Sequence, residues 1–260
     1  MARTSCIWDA VGMHWLLPVM LSALVSSCVP MPRQRLPELG KTRVQSLDLP
    51  AWTPLGMSVQ GRPIRYRAIG SGSRSVLFIG GIHGDEIEGR VATAQLPLAF
   101  LRSPGLARQV PLHIVEDMNP DGRHAGVRAN SRGVDLNRDF PASNRRKGHG
   151  LSEPESRAAH DLIRTLKPDL VIVAHSWRKR FFINYDGPGK RLAQTFSRYS
   201  GFPVVPSSNI GATPGSLGSW CGWDLGIPIL TIEWQRGTPP EQAWTSTRMA
   251  LLAVIRGATS

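Results

Sequence analysis

Four side chains able to support metal and proton chemistry stand where apolar runs of the chain stop. The segment Phe78-Ile79-Gly80-Gly81-Ile82-His83-Gly84-Asp85-Glu86 passes from apolar residues through glycines to a His and a Glu three apart. An imidazole and a carboxylate at one corner can aim at a single cation, and the glycines let the backbone turn tightly enough to bring them together. Alone, the pair has an ordinary explanation, because a carboxylate near a helix start is stabilised by the unpaired N–H groups there. Two further runs add to it: Val171-Ile172-Val173-Ala174 ends on His175, and Ile229-Leu230-Thr231-Ile232 ends on Glu233. Two imidazoles and one of the two carboxylates would leave a fourth position open on a zinc ion, the arrangement of a catalytic rather than a structural site. The other carboxylate can then take a proton from a water whose pKa the metal has lowered. The chain has 3 Cys, too few for a Cys-based structural zinc site or a disulfide framework.

These residues need elements to bring them to one place. Short β-rich runs at residues 64–68, 75–79, 112–115, 170–174 and 229–233 predict strands. Helical patterns at 86–101, 153–166, 191–200 and 241–255 predict the helices between them. Ser152 followed by Glu155 reads as a capping box, and Pro168 as the stop of that helix. Strands alternating with helices predict an α/β fold of one domain, its mostly parallel or mixed central sheet flanked by helices on both faces. Ligand sites in such sheets lie outside the carboxyl ends of the strands, where all four side chains fall.

Residues 55–260 are expected to form the folded domain. Ahead of them, residues 28–54 are rich in Pro and basic residues without steady periodicity, which reads as a tether. The apolar stretch from Trp15 to Val25 contains Pro18 and is shorter than the roughly 20 residues a spanning helix needs. Residues 1–27 are therefore expected to be a signal peptide of the lipoprotein type, with Val25-Ser26-Ser27-Cys28 similar to a bacterial lipobox and Cys28 the lipidated residue. The expected location is the periplasmic side of the cell envelope, with membrane contact only through that lipid, or the cytoplasm if the segment does not act as a signal. Cys221 is expected to be a buried apolar-like residue.

Between the His-x-x-Glu pair and His175 lie the turn Asn119-Pro120-Asp121-Gly122, then Arg128-Ala129-Asn130 and Gly133-Val134-Asp135-Leu136-Asn137-Arg138. With these motifs in this order, the chain from about residue 64 to 233 resembles the zinc metallocarboxypeptidases of the funnelin type. The resemblance implies one zinc ion held by His83, Glu86 and His175, with Glu233 as general base. It implies that Arg128 stabilises the oxyanion, that Asn137 and Arg138 hold a substrate carboxylate, and that Asp135 orients a zinc-bound imidazole. The stretch Thr213-Pro214-Gly215-Ser216-Leu217-Gly218-Ser219-Trp220-Cys221 is similar to one in the murein peptide amidase branch. That branch cuts the γ-D-glutamyl–diaminopimelate bond, which makes a muropeptide the expected substrate. Relatives carry a tyrosine where this chain has Gly211 or Ala212, leaving Tyr185 as a candidate source of the missing hydroxyl. The segment Ser176-Trp177-Arg178-Lys179-Arg180 replaces a less charged one and points to a more anionic substrate.

Charge bears on partners. The 260 residues carry 31 Lys+Arg against 19 Asp+Glu, a formal net charge of +12, which fits an anionic envelope as well as nucleic acid. No nucleic-acid motif accompanies the basic residues, so nucleic acid is not an expected partner. Arg132, Arg145, Arg146 and Lys147 read as a solvated basic face. Two alternatives compete with the amidase: an acyl-amino-acid deacylase of the succinylglutamate desuccinylase or aspartoacylase kind, and a non-catalytic wall-binding lipoprotein. The Asn-Pro-Asp-Gly turn and the 213–221 stretch argue against the first. Glu233 beside three ligand-type residues argues against the second, since a binder has no use for a base.

Overall fold

The computed structural model describes residues 48–211 and 213–258. The signal, the lipidation residue Cys28 and residues 28–47 of the tether lie outside the described residues. Eight strands form one sheet: β1 Thr53–Met57, β2 Pro63–Ile69, β3 Val76–Ile79, β4 Leu112–Val115, β5 Leu170–Trp177, β6 Phe182–Asp186, β7 Val204–Pro206 and β8 Ile229–Gln235. Their order is β1-β2-β4-β3-β5-β8-β6-β7. The centre, β4-β3-β5-β8, is parallel, while β1 and β2 pair antiparallel at one side and β6 runs antiparallel to β8 at the other. The sheet is therefore mixed. Every residue of β3 is buried, as is all of β5 up to Ser176, the pattern of strands covered on both faces.

Among the described residues, five α-helices flank the sheet: α1 Arg90–Arg102, α2 Pro120–Ala125, α3 Pro154–Leu166, α4 Lys190–Ser200 and α5 Pro240–Gly257. One face buries Phe78, Ile172, Leu230, Ile232 and Trp234 against residues of α1, α4 and α5. The other buries Leu77, Ile79, Val171, Val173 and Ile229 with Ala159 and Ile163 of α3. The alternation within β3, β5 and β8 sorts side chains between the two cores. It also puts His175 and Glu233, in register across β5 and β8, on the α3 face.

Three expectations need correction. α1 begins at Arg90 with Gly89 as its N-cap, four residues after Glu86, so Glu86 lies in the preceding turn and does not cap a helix. Ser152 caps nothing: α3 is capped by Glu153 without a side-chain bond and starts on Pro154. The Ser152 hydroxyl instead donates to Asp139 Oδ1 at 2.9 Å, since a proline at the first helical position leaves one fewer N–H to satisfy. Leu49 and Trp52, in the stretch read as a tether, pack against the core, and the Arg67 guanidinium stacks 4.2 Å from the Trp52 ring centroid. The stop at Pro168 stands, with Lys167 left-handed at φ 46° as the C-cap.

Candidate metal and catalytic centre

The loop after β3 brings His83 and Glu86 to the sheet's carboxyl edge. Gly81 adopts φ 62°, and a Cβ at Gly84 would lie 2.0 Å from the carbonyl carbon of Gly122, so only glycine allows this loop to rest on the Asn119-Pro120-Asp121-Gly122 turn. That turn holds itself: Asn119 Oδ1 accepts from Gly122 N at 2.9 Å, capping α2, while Asn119 Nδ2 donates to the Arg128 carbonyl at 3.1 Å. Asp121 ties it to the turn between β1 and β2, accepting from the Ser58 hydroxyl at 2.8 Å and the Gln60 N–H at 2.9 Å. The motif that reads as a turn in the sequence thus sets the position of Arg128.

At the edge, His83, Glu86 and His175 are all buried, and their candidate ligand atoms all lie within 4.8 Å of one another. Both Nδ1 atoms face the same carboxylate: His83 Nδ1 is 3.0 Å from Glu86 Oε1, and His175 Nδ1 is 2.8 Å from Glu86 Oε2. Ser176 N–H also donates to Glu86 Oε2 at 3.0 Å. Behind His83, Asp135 Oδ1 sits 3.1 Å from Nε2. A carboxylate there accepts the Nε2 proton and leaves the Nδ1 lone pair directed at the cluster. Burial disfavours the charged Glu86, yet the facing His175 and His83 outweigh it and hold its carboxyl far below the usual range. Asp135 is likewise pulled down despite burial, by His83, Arg128 and Arg138. Burial works against His83 protonation too, but the bonds to Asp135 and Glu86 raise its pKa.

Glu233 differs from Glu86. It is 7% exposed, and its Oε2 has no hydrogen-bond partner among the described residues. Burial pushes its carboxyl up to about 7, with Glu86 adding to the rise and His175, Arg128 and Arg236 opposing it. Two carboxylates in one site are thereby driven apart, one fixed as an anion and one poised to exchange a proton.

The remaining residues line the same cleft. Arg128 donates from Nη1 to Glu86 Oε1 and from Nε to Asp135 Oδ2, each at 3.1 Å, with its side chain 44% exposed. Asn137 sits with Nδ2 3.4 Å from His175 Nε2, and its Oδ1 accepts from Leu217 N–H at 3.0 Å. An amide nitrogen carries two hydrogens, so one remains for another acceptor. Arg138 donates to the Asn137 carbonyl at 2.6 Å. Tyr185 does not join the site. The β6 alternation turns it to the opposite face, where it packs against the core of α1, α4 and α5. Arg145 is not merely a solvated cation: it bonds the Arg138 and Lys147 carbonyls, fixing the loop that carries Arg138.

Sequence reasoning missed Arg236. From the end of β8 it reaches back to Asp85 Oδ2 at 2.9 Å and Glu86 Oε1 at 3.3 Å, so the strand carrying Glu233 also grips the loop carrying Glu86. Its place three residues after Glu233 is the only signal the chain offers, and a basic residue in so basic a chain does not stand out.

Comparison with known proteins agrees with this geometry. The profile of the zinc carboxypeptidase family matches residues 48–215. Murein peptide amidase A of Escherichia coli K12 is 35% identical over 201 residues, covering 68% of this chain and 78% of that protein. Gamma-D-glutamyl-L-diamino acid endopeptidase 1 of Lysinibacillus sphaericus is 27% identical over 249 residues, covering 72% of this chain and 61% of that protein. The crystal structure of a murein-tripeptide amidase from Escherichia coli O157 superposes with a TM-score of 0.62 at 31% identity, covering 80% of this chain and 92% of that one. A buried His-Glu-His cluster with a second, unpartnered carboxylate beside it, on a sheet that superposes on this structure, leaves one assignment: the chain belongs to the zinc carboxypeptidase family and is a hydrolase.

Proposed function

We propose that this protein is a zinc-dependent amidase that cuts peptidoglycan peptides at a γ-D-glutamyl–diamino acid bond, next to a free carboxylate. The observation that carries the reading is the pair of carboxylates in one buried site. Glu86 is engaged by both imidazoles, and Glu233 has an unpartnered Oε2. The donor set suits zinc: two imidazoles and a carboxylate, with Asp135 supporting one imidazole from behind. His83, Glu86 and His175 would hold the ion. Bound there, zinc polarises the scissile carbonyl and lowers the pKa of the attacking water.

The chain's own groups supply the rest. Glu233 Oε2 accepts the proton of the attacking water and passes it to the leaving amine. Arg128, held by Glu86 and Asp135, places a guanidinium where negative charge develops on the carbonyl oxygen. Arg138, with the free Asn137 hydrogen, holds the carboxylate of the residue beyond the cut. The names of the relatives at 35% and 27% identity supply the bond type. From the lipobox-like Val25-Ser26-Ser27-Cys28 we propose separately that the enzyme acts in the cell envelope, anchored through a lipid on Cys28; labelled palmitate incorporated by wild type and not by Cys28→Ser checks that point.

Metal analysis combined with hydrolysis tests the centre. Wild type and Glu233→Gln are both expected to carry one zinc per chain, with amide hydrolysis reduced by about 100-fold or more only in the variant. Absence of bound metal, or wild-type turnover by Glu233→Gln, contradicts the proposal.

A further inference from the structure

The loop between β5 and β6 carries a basic run that the proposed reaction leaves unused. Because β8 lies between β5 and β6 in the sheet, residues 178–181 cross over the carboxyl end of β8 instead of closing a hairpin. Arg236 N–H donates to the Trp177 carbonyl at 2.9 Å and pins the start of this crossing. Arg178, Lys179 and Arg180 are all exposed, and among the described residues none of the three side chains has an ion pair or a hydrogen bond. Arg128 and Arg236, at the same edge, each hold a carboxylate. Arg180 rests 5.1 Å from the centroid of the Phe182 ring, a contact that leaves its N–H donors free.

Cations alone would make only a solvated surface; the residues on either side of them make something more specific. Trp177 is 38% exposed and Phe181 44%, so large apolar side chains flank the three cations at both ends. The Phe181 ring leans on Phe202, with centroids 4.7 Å apart. α4 ends at this same edge, since β7 starts beside the start of β6, and its last turn adds exposed Arg198 and Tyr199. An exposed phenylalanine ring has no polar group to offer a sugar or a phosphate, and it gains free energy only where it leaves water. The cations gain where negative charge is dense. A bilayer boundary with anionic lipids offers both side by side, aromatic rings settling at headgroup level while Lys and Arg meet the phosphates. A soluble polyanion would engage the cations and leave Phe181 wet.

We propose that residues 177–181 are a membrane-docking element: Arg178, Lys179 and Arg180 meet the headgroups of anionic phospholipids while Trp177 and Phe181 enter the boundary beside them. The proposal depends neither on the bond that is cut nor on a lipid at Cys28. Because Trp177 also lines the cleft, a molecule docked in this way holds its cleft close to the bilayer surface.

Vesicle co-sedimentation tests this on the full chain carrying Cys28→Ser, so that no lipid on that residue contributes. The vesicles are phosphatidylcholine alone, or equal parts phosphatidylglycerol and phosphatidylcholine, and the ratio of the two partition coefficients is the readout. Replacing the three cations together, Arg178→Gln, Lys179→Gln and Arg180→Gln, is expected to lower that ratio by about 100-fold, roughly fivefold for each. Phe181→Ser, which keeps the charge, is expected to weaken binding to the mixed vesicles by about 3- to 10-fold. A ratio that survives the triple substitution overturns the proposal, as does unchanged binding by Phe181→Ser. Binding to purified peptidoglycan sacculi that the triple substitution abolishes, with neither vesicle bound, also overturns it in favour of a wall polymer. A measurement with the Lys179, Phe181 and neighbouring side chains intact needs no folded variant: acylation of lysine amines, mapped by mass spectrometry. Lys167 precedes β5 and Lys190 follows β6, so both stand at the opposite edge of the sheet and serve as controls. Mixed vesicles are expected to slow acylation of Lys179 severalfold relative to both controls, and equal rates at the three lysines with and without vesicles overturn the proposal.

Discussion

At the scale of single residues, the account depends on two carboxylates of one type behaving differently because of what they touch. Glu86 lies between two imidazoles and a backbone N–H, whereas Glu233 Oε2 has no donor among the described residues. A proton acceptor works only when ionised, and the Glu233 carboxyl is raised to about 7 by burial. As pH falls through that region the protonated fraction grows, so kcat/KM falls on the acid side. A cation between the imidazoles favours the charged form, placing the limb at or below pH 7. A pH profile of kcat/KM measures it directly, and a flat profile down to pH 4 would count against Glu233 as base. Asp135 acts through His83, so Asp135→Asn is expected to weaken zinc binding by about 10- to 100-fold, read by competition with a chelator. His83, Glu86 and Glu233 were legible in the chain because they stand where apolar runs stop, and Asp135 through the motif Gly133-Val134-Asp135-Leu136-Asn137-Arg138. Arg236 was not, because its contact with Glu86 depends on how the end of β8 and the loop after β3 meet across β5 in the sheet.

At the scale of elements, strand alternation does most of the placing. The runs at 75–79 and 170–174 stood out because strands buried on both faces between parallel neighbours are nearly continuously apolar. β6 and β7 did not stand out: β6 carries Asn184 and Asp186 facing the cleft, and polar residues on the functional face erase the apolar signature. The same alternation explains why Tyr185 could not replace the absent hydroxyl, since its neighbours on either side face the cleft and it must face away. Tyr185→Phe is accordingly expected to leave kcat/KM within about twofold of wild type, as a substitution distant from the chemistry. The start of α1 was misplaced because Glu86 and Glu88 extend the helical pattern into a turn that the site needs open. Where the loop after β3 rests on α2, packing leaves no slack: Gly84→Ala would bring a Cβ within 2.2 Å of Arg123 N. We expect a loss of about 1–3 kcal/mol or more, seen as a lower urea midpoint at unchanged slope.

At the scale of the whole molecule, a mixed sheet with helices on both faces collects side chains from β5, β8 and the loops after β3 and β4 at one edge. The fold class was legible because the strand and helix periods alternate, but the edge strands β1 and β7 were not, being short or partly exposed. The net charge of +12 is spread widely, and Arg128 and Arg138 put part of it into the cleft. Binding of an anionic peptide is therefore expected to weaken as salt shortens the reach of these charges, and kcat/KM measured from low to physiological ionic strength would show the decline. The central claim is the bond that is cut. Mass spectrometry of defined muropeptides incubated with the zinc-loaded protein, beside Glu233→Gln as control, tests it directly. The account predicts free diaminopimelate or a diaminopimelyl dipeptide from wild type alone; release of only a terminal D-alanine, or an unchanged muropeptide, would contradict it.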